Sequence, residues 1–195
     1  MSRTRSYDET FVLKGAARAF RVHGYQTASI RDLEEATGLK AGSIYNSFGD
    51  KAGLFDAAFE YYNHAVLQGR IDRYAPPAAG LKGLRDLFVS LMHEADGESY
   101  GCMITNAAVE LDTSCDAYRH VREGLAILSQ TFSDRLHAAS REGGLRAGID
   151  PNVAAAKLLA LYQGLLVLVR ARQDKNVLER LVAAEFLELE HDHDS

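Results

Sequence analysis

Ser29-Ile-Arg-Asp-Leu-Glu-Glu-Ala-Thr-Gly-Leu-Lys-Ala-Gly-Ser-Ile-Tyr-Asn-Ser-Phe-Gly-Asp-Lys51 reads as two short helices joined by a tight turn, with a third helix starting straight after. Ser29 followed three residues later by Asp32 resembles a capping box, with Asp in place of the usual Glu or Gln. Ile30, Leu33 and Ala36 make one apolar face at helical spacing. Thr37-Gly38 ends that helix, because Gly tolerates the left-handed backbone of a sharp exit, and Leu39 packs under the turn. The next helix turns Ile44 and Phe48 inward and leaves Lys40, Ala41, Ser43, Tyr45, Asn46 and Ser47 outside. A helix-turn-helix with a polar second helix suits a DNA major groove. Ile30, Leu33, Ile44 and Phe48 build a small three-helix core whatever the function. That core does not account for Tyr45, an aromatic side chain on the outer face beside Ser43 and Asn46.

Helical patterning extends outward in both directions. Upstream, Asp8 to His23 reads as helix with Phe11, Val12, Ala16, Ala19 and Phe20 on one face, after a flexible arm over residues 1–7. Downstream, Asp50 is the expected N-cap of a long helix from Lys51 to about Arg73, with Leu54, Phe55, Ala58, Phe59, Tyr62 and Val66 inward. Tyr74-Ala-Pro-Pro-Ala-Ala-Gly80 breaks it, since Pro cannot continue a helix and restricts its predecessor. Further helices are expected over 81–95, 102–111 and 116–141, the last keeping a 3–4 apolar period throughout. Asp150-Pro151 opens another, with Asp as N-cap and Pro in the first turn. It runs to about Arg172 and is apolar over much of its circumference, so it must be buried on more than one side. A second subunit is the simplest source of the extra side. A final helix spans about 175–189. No β pattern and no internal repeat is visible, so the expected fold is all-α with about nine helices.

Bulk properties narrow the function. The 195 residues suit one medium domain or two small ones, and a hydrophobic content of 47% is enough for a real core. We read no apolar run as long enough to span a bilayer, and the N-terminus lacks a signal-peptide apolar region, so a cytoplasmic protein without membrane contact is expected. Cys102 and Cys115 do not make a disulfide framework, and metal spacings are absent. There is no Gly-rich phosphate loop and no nucleophile signature, which argues against an enzyme and against a bound cofactor. The tail His191-Asp-His-Asp-Ser195 is either a weak metal binder or a solvated acidic tail. Net charge is −5, but residues 1–51 carry eight Lys/Arg and six acids, a balance of +2 that leaves −7 for the remainder. A basic end on an acidic body presents one face to DNA and keeps the rest away from it.

The motif from Ser29 to Lys51 resembles the N-terminal domain of TetR-family transcriptional regulators. The resemblance extends upstream through Phe20-Arg-Val-His-Gly-Tyr25 and downstream through Phe48-Gly-Asp-Lys-Ala-Gly-Leu-Phe55, and the run from Phe11 to Phe55 fits in order and spacing. It implies a helix-turn-helix domain over 1–50 and a helical effector-binding and dimerisation domain over 51–195. With the boundary inside a helix, a tilt of that helix would move the reading head as a lever. It implies a homodimer on a palindromic double-stranded DNA operator, released by a small-molecule effector and acting as a repressor. Placed on this chain, the family's DNA contacts fall on Ser29, Arg31, Lys40, Ala41, Gly42, Ser43, Tyr45, Asn46, Ser47 and Lys51. Gly42 allows close approach; Ser43, Tyr45 and Lys51 suit phosphates; Asn46 suits an adenine edge, and Lys40 or Arg31 guanine acceptors. Arg31 is equally open to pairing with Glu34 or Glu35. Glu34 stands where the family commonly has a small residue, and Ser47 where it often has a bulkier one.

The resemblance also implies a pocket in the C-terminal half. Phe59, Tyr62, Phe88, Met92, His93, Cys102, Met103, Asn106, Tyr118 and Phe132 are its candidate lining, or plain core. Asn106 and His93 stand out, because polar groups on inward faces need partners. Dimerisation through the last two helices implies Val153, Leu158, Leu161, Tyr162, Leu165, Leu166, Val169, Leu178, Leu181 and Val182 as interface. Cys102 opens a short helix, a setting that favours thiolate, so a thiol sensor of electrophiles or oxidants on the same scaffold is one alternative and a buried packing residue is another. Cys115 lies between acids, which oppose thiolate. A helical interaction protein that does not bind DNA is the remaining alternative.

Overall fold

The computed structural model describes residues 7–93 and 100–190. Among them the fold is all-α: ten α-helices, with no named strand and one isolated bridge, Leu145 to Glu190. The helices are α1 Glu9–His23, α2 Ile30–Thr37, α3 Ala41–Phe48, α4 Lys51–Tyr61, α5 Gln68–Tyr74, α6 Gly80–Val89, α7 Met103–Glu110, α8 Tyr118–Arg141, α9 Pro151–Arg170 and α10 Lys175–Leu189. A π-helical stretch, Tyr62–Leu67, joins α4 to α5 without a break, so one long helix was legible from sequence but its π turn was not. The tail from 191 onward lies outside the described residues. By contact the chain forms two units, Met1–Val66 with Cys102–Glu123, and Leu67–Gly101 with Gly124–Ser195.

In the first unit α1 packs on α2 and α4. Asp8 caps α1 by accepting from the Phe11 amide, and Asp50 caps α4 by accepting from the Gly53 amide at 2.8 Å. Gly15 lets α1 and α2 cross at backbone contact, since a Cβ there would fall on the carbonyl oxygen of Ala36. Phe20, Leu33, Ile44, Leu54 and Phe59 are fully buried. Phe20 meets Phe55 edge to face at 4.9 Å, and Phe55 meets Phe59 at 5.5 Å. Phe11, expected on the inward face, is instead 60% exposed; Val12 beside it takes the core position.

In the second unit Phe88, Phe132, Tyr162 and Phe186 form one aromatic cluster with centroids 5.2–5.7 Å apart. α9 corrects our reading that no apolar run reaches membrane-spanning length. It has 20 residues, and its most apolar 18-residue window has a mean hydropathy of 1.7, enough by length and composition to cross a bilayer, a test that a buried core helix also passes. One side of it, through Leu158, Tyr162, Leu165 and Val169, is core. The opposite side of α9 and one face of α10 leave Val153, Val167, Leu168, Val177, Leu181 and Leu187 between 37% and 65% exposed.

Candidate nucleic-acid interface

The capping box read from Ser29 and Asp32 is formed. The Asp32 amide donates to Ser29 Oγ at 3.2 Å, and the Ser29 amide and hydroxyl donate to Asp32 Oδ2 at 2.8 and 2.6 Å. The Ser29 hydroxyl and then its amide hold the Asp32 carboxyl below the usual carboxylate range. α2 ends where expected: Gly38 adopts φ +70°, and its amide donates back to the Glu34 carbonyl. Thr37 stiffens the turn from within. Its buried hydroxyl donates to the Leu33 carbonyl at 2.6 Å and accepts from the Leu39 amide at 3.2 Å. α3 fully buries only Ile44; Phe48, expected inward, is half-buried, and the polar residues of the helix face outward.

That outer surface collects most of the predicted DNA residues. Arg31, Lys40, Gly42, Ser43 and Asn46 are exposed, Tyr45 is 45% exposed, and Ala41 and Ser47 are half-buried. Nothing lies within 4 Å of where a Gly42 side chain would begin, so the α3 backbone is open to a close approach. Among the described residues no ion pair holds Arg31, so the alternative of pairing with Glu34 or Glu35 is not realised. Lys51 is placed differently from its neighbours. Its Nζ donates to the Gln26 carbonyl at 3.1 Å and lies 5.0 Å over the Tyr25 ring, so it staples the turn before α2 to the start of α4.

The effector candidates are divided between the two units. Phe59, Tyr62, Cys102, Met103, Asn106 and Tyr118 belong to the first unit, and Phe88, Met92, His93 and Phe132 to the second. Asn106 donates to the Arg21 carbonyl at 3.2 Å. His93 is not inward: it is exposed, with Nε2 at 2.6 Å from a Glu179 oxygen. Cys102 is buried, and the Tyr62 hydroxyl donates to its sulfur at 3.4 Å, whereas Cys115 is exposed. This reverses the accessibility that a thiol sensor at Cys102 requires. A cleft of about 400 Å³ beside Tyr25, Phe55, Leu111 and Cys115 is lined by none of the ten effector candidates. Of the interface candidates, Leu158, Tyr162, Leu165, Leu166, Val169, Leu178 and Val182 are buried; Val153 and Leu181 are exposed and Leu161 half-buried.

Several polar residues escaped sequence reasoning. Glu34 Oε1 accepts from the Ala41 amide at 2.7 Å, joining the last turn of α2 to the first of α3. Glu110 of α7 accepts from the Tyr25 and Gln26 amides at 2.9 and 2.6 Å, capping the turn after α1. Buried His120 lies between carboxylates, with Nε2 at 2.9 Å from Asp56 and Nδ1 at 3.4 Å from Glu123, and stacks on Phe59. Asn63, wholly buried in the π turn, donates to the His120 carbonyl and to Glu123. A lone acid at long sequence separation carries no spacing signal. Among the described residues no His/Cys/Asp/Glu cluster of three is arranged to hold a metal ion.

Residues 12–58 match the family of bacterial regulatory proteins described as tetR family, and residues 77–184 match the tetracyclin repressor-like C-terminal domain. The chain is 24% identical over 182 residues to the HTH-type transcriptional repressor DhaR of Mycobacterium sp. strain GP1, covering 90% of this chain and 88% of that one. It is 54% identical over 44 residues to the repressor AcnR of Corynebacterium glutamicum, 23% of each chain. A cysteine-substituted form of the TetR family regulator CifR, solved with 26-base-pair double-strand operator DNA, superposes with a TM-score of 0.78 at 25% identity, covering 96% of this chain and all of the other.

Proposed function

The chain belongs to the TetR family of bacterial regulatory proteins, and from that premise we propose that it is a dimeric, DNA-binding repressor released by a small molecule. Membership places it among transcriptional regulators rather than enzymes. The observation that carries the DNA reading is the α3 surface: Ser43, Tyr45 and Asn46 stand outward around an unobstructed Gly42. Hydroxyls at Ser43 and Tyr45 suit phosphate oxygens, which fix register, while the Asn46 amide can pair with an adenine edge, which carries sequence. The operator complex solved for CifR supports the same use of this fold.

Dimerisation is proposed on the apolar faces of α9 and α10. Val153, Leu168, Val177, Leu181 and Leu187 leave more apolar surface in water than scattered single residues would. A twofold interface makes the same face its own partner. Division into a reading part over 1–50 and a sensing part over 51–195 is part of the proposal, as are its place in the cytoplasm and an effector held by the C-terminal helices. A gel shift of the full chain against the DNA upstream of its own gene tests the core of it. The expected result is a retarded complex that unrelated DNA does not compete away. Equal competition by unrelated DNA would contradict it.

A further inference from the structure

We propose that Glu34 is a positioning and specificity-setting residue, which holds the start of α3 and keeps phosphate away from its amide end; this rests on the DNA-binding reading above. The N-terminus of α3 lacks the usual side-chain cap: Lys40 occupies the N-cap position and makes no side-chain capping bond. The Ser43 and Ile44 amides turn back to the Lys40 carbonyl, at 2.8 and 3.1 Å. The Ala41 amide is taken by Glu34 Oε1 at 2.7 Å, from seven residues earlier on the neighbouring helix. A charge-assisted bond of this kind fixes the angle between the two helices as well as satisfying a donor.

The same carboxylate sets the charge of the reading surface. α3, Ala41–Phe48, contains no charged side chain. At its amide end lies a cleft of about 310 Å³ where Glu34 and Glu35 face Arg31 and Lys40. A free helix N-terminus attracts phosphate of any sequence. With Glu34 on the Ala41 amide, that non-selective contact is replaced by an acid that repels the DNA backbone, and binding depends more on base contacts.

Glu34→Gln and Glu34→Ala separate the two roles. Gln keeps an oxygen to accept the Ala41 amide and loses the charge; Ala loses both. Anisotropy titrations of the full chain on a duplex from upstream of its own gene and on an unrelated duplex, at two salt concentrations, read the outcome. Glu34→Gln should bind the unrelated duplex roughly three- to tenfold more tightly at low salt, the gain shrinking at high salt, and so lose selectivity. Glu34→Ala should bind the upstream duplex about fivefold more weakly than Glu34→Gln, the size of a lost cap. Melting curves check folding, and the Gln variant reads the charge even if Ala does not fold. Unchanged binding of unrelated DNA by Glu34→Gln would overturn the repulsion, and equal binding by the Ala and Gln variants would overturn the positioning. A wild-type chain that ignores both duplexes would instead remove the DNA-binding reading beneath them.

Discussion

Tyr45 and Asn46 stand side by side on α3, yet their side chains predict different losses. Tyr45→Ala removes a proposed phosphate partner, so binding should weaken by a similar factor on every sequence, whereas Asn46→Ala should relax preference at one base pair per half-site, at about 1–3 kcal/mol. Titration against single-base operator variants distinguishes them, and two unaffected variants would move the reading surface elsewhere. The capping box predicts a pH dependence. Hydrogen bonds from Ser29 lower the Asp32 pKa, so the stability it contributes is present above the ordinary carboxylate pKa and is lost as pH falls through its lowered folded value. The difference in melting temperature between wild type and Asp32→Asn should therefore shrink toward acid pH; a constant difference would argue against it. For the thiols, limiting iodoacetamide followed by mass spectrometry should find exposed Cys115 labelled before buried Cys102. Residues with a local pattern were the ones the sequence exposed: Ser29 with Asp32 and the Asp50 cap. Glu34, Glu110 and His120 were hidden, because each acts on a backbone or ring that only the fold brings near.

Elements divide along the same line. α2, α3 and α10 were legible almost to the residue, since caps, glycines and a 3–4 apolar period mark their ends. The amphipathic period failed where a helix has two apolar sides. On α9 it could not say which leucines face the chain's own core and which face outward, and several positions expected at an interface proved to be core. Leu165 is wholly buried and Leu168 is 37% exposed, so the two substitutions separate cleanly. Leu165→Asp should unfold the protein by placing an unpaired charge in the core. Leu168→Asp and Leu181→Asp should leave a folded chain whose assembly is weakened, read by sedimentation beside a melting curve. Fully dimeric, folded Leu168→Asp and Leu181→Asp variants would move the interface off these helices. The π turn at Tyr62–Leu67 was not legible, and it shifts the buried face by one position: Val66, expected inward, is half-buried, while Leu67 and Asn63 are buried.

On the scale of the whole molecule, a net charge of −5 with a basic end of only +2 suits the proposed dimer, in which two reading heads act at once. One head offers few phosphate contacts; two on one duplex double them, and operator symmetry then mirrors protein symmetry. Hydroxyl-radical footprinting of the full chain on the DNA upstream of its own gene tests this most directly. The account predicts two protected patches related by a twofold axis, on one face of the duplex, about one helical turn or a simple multiple of it apart. Protection that is absent, or confined to a single asymmetric patch, would contradict a dimer reading DNA through α3.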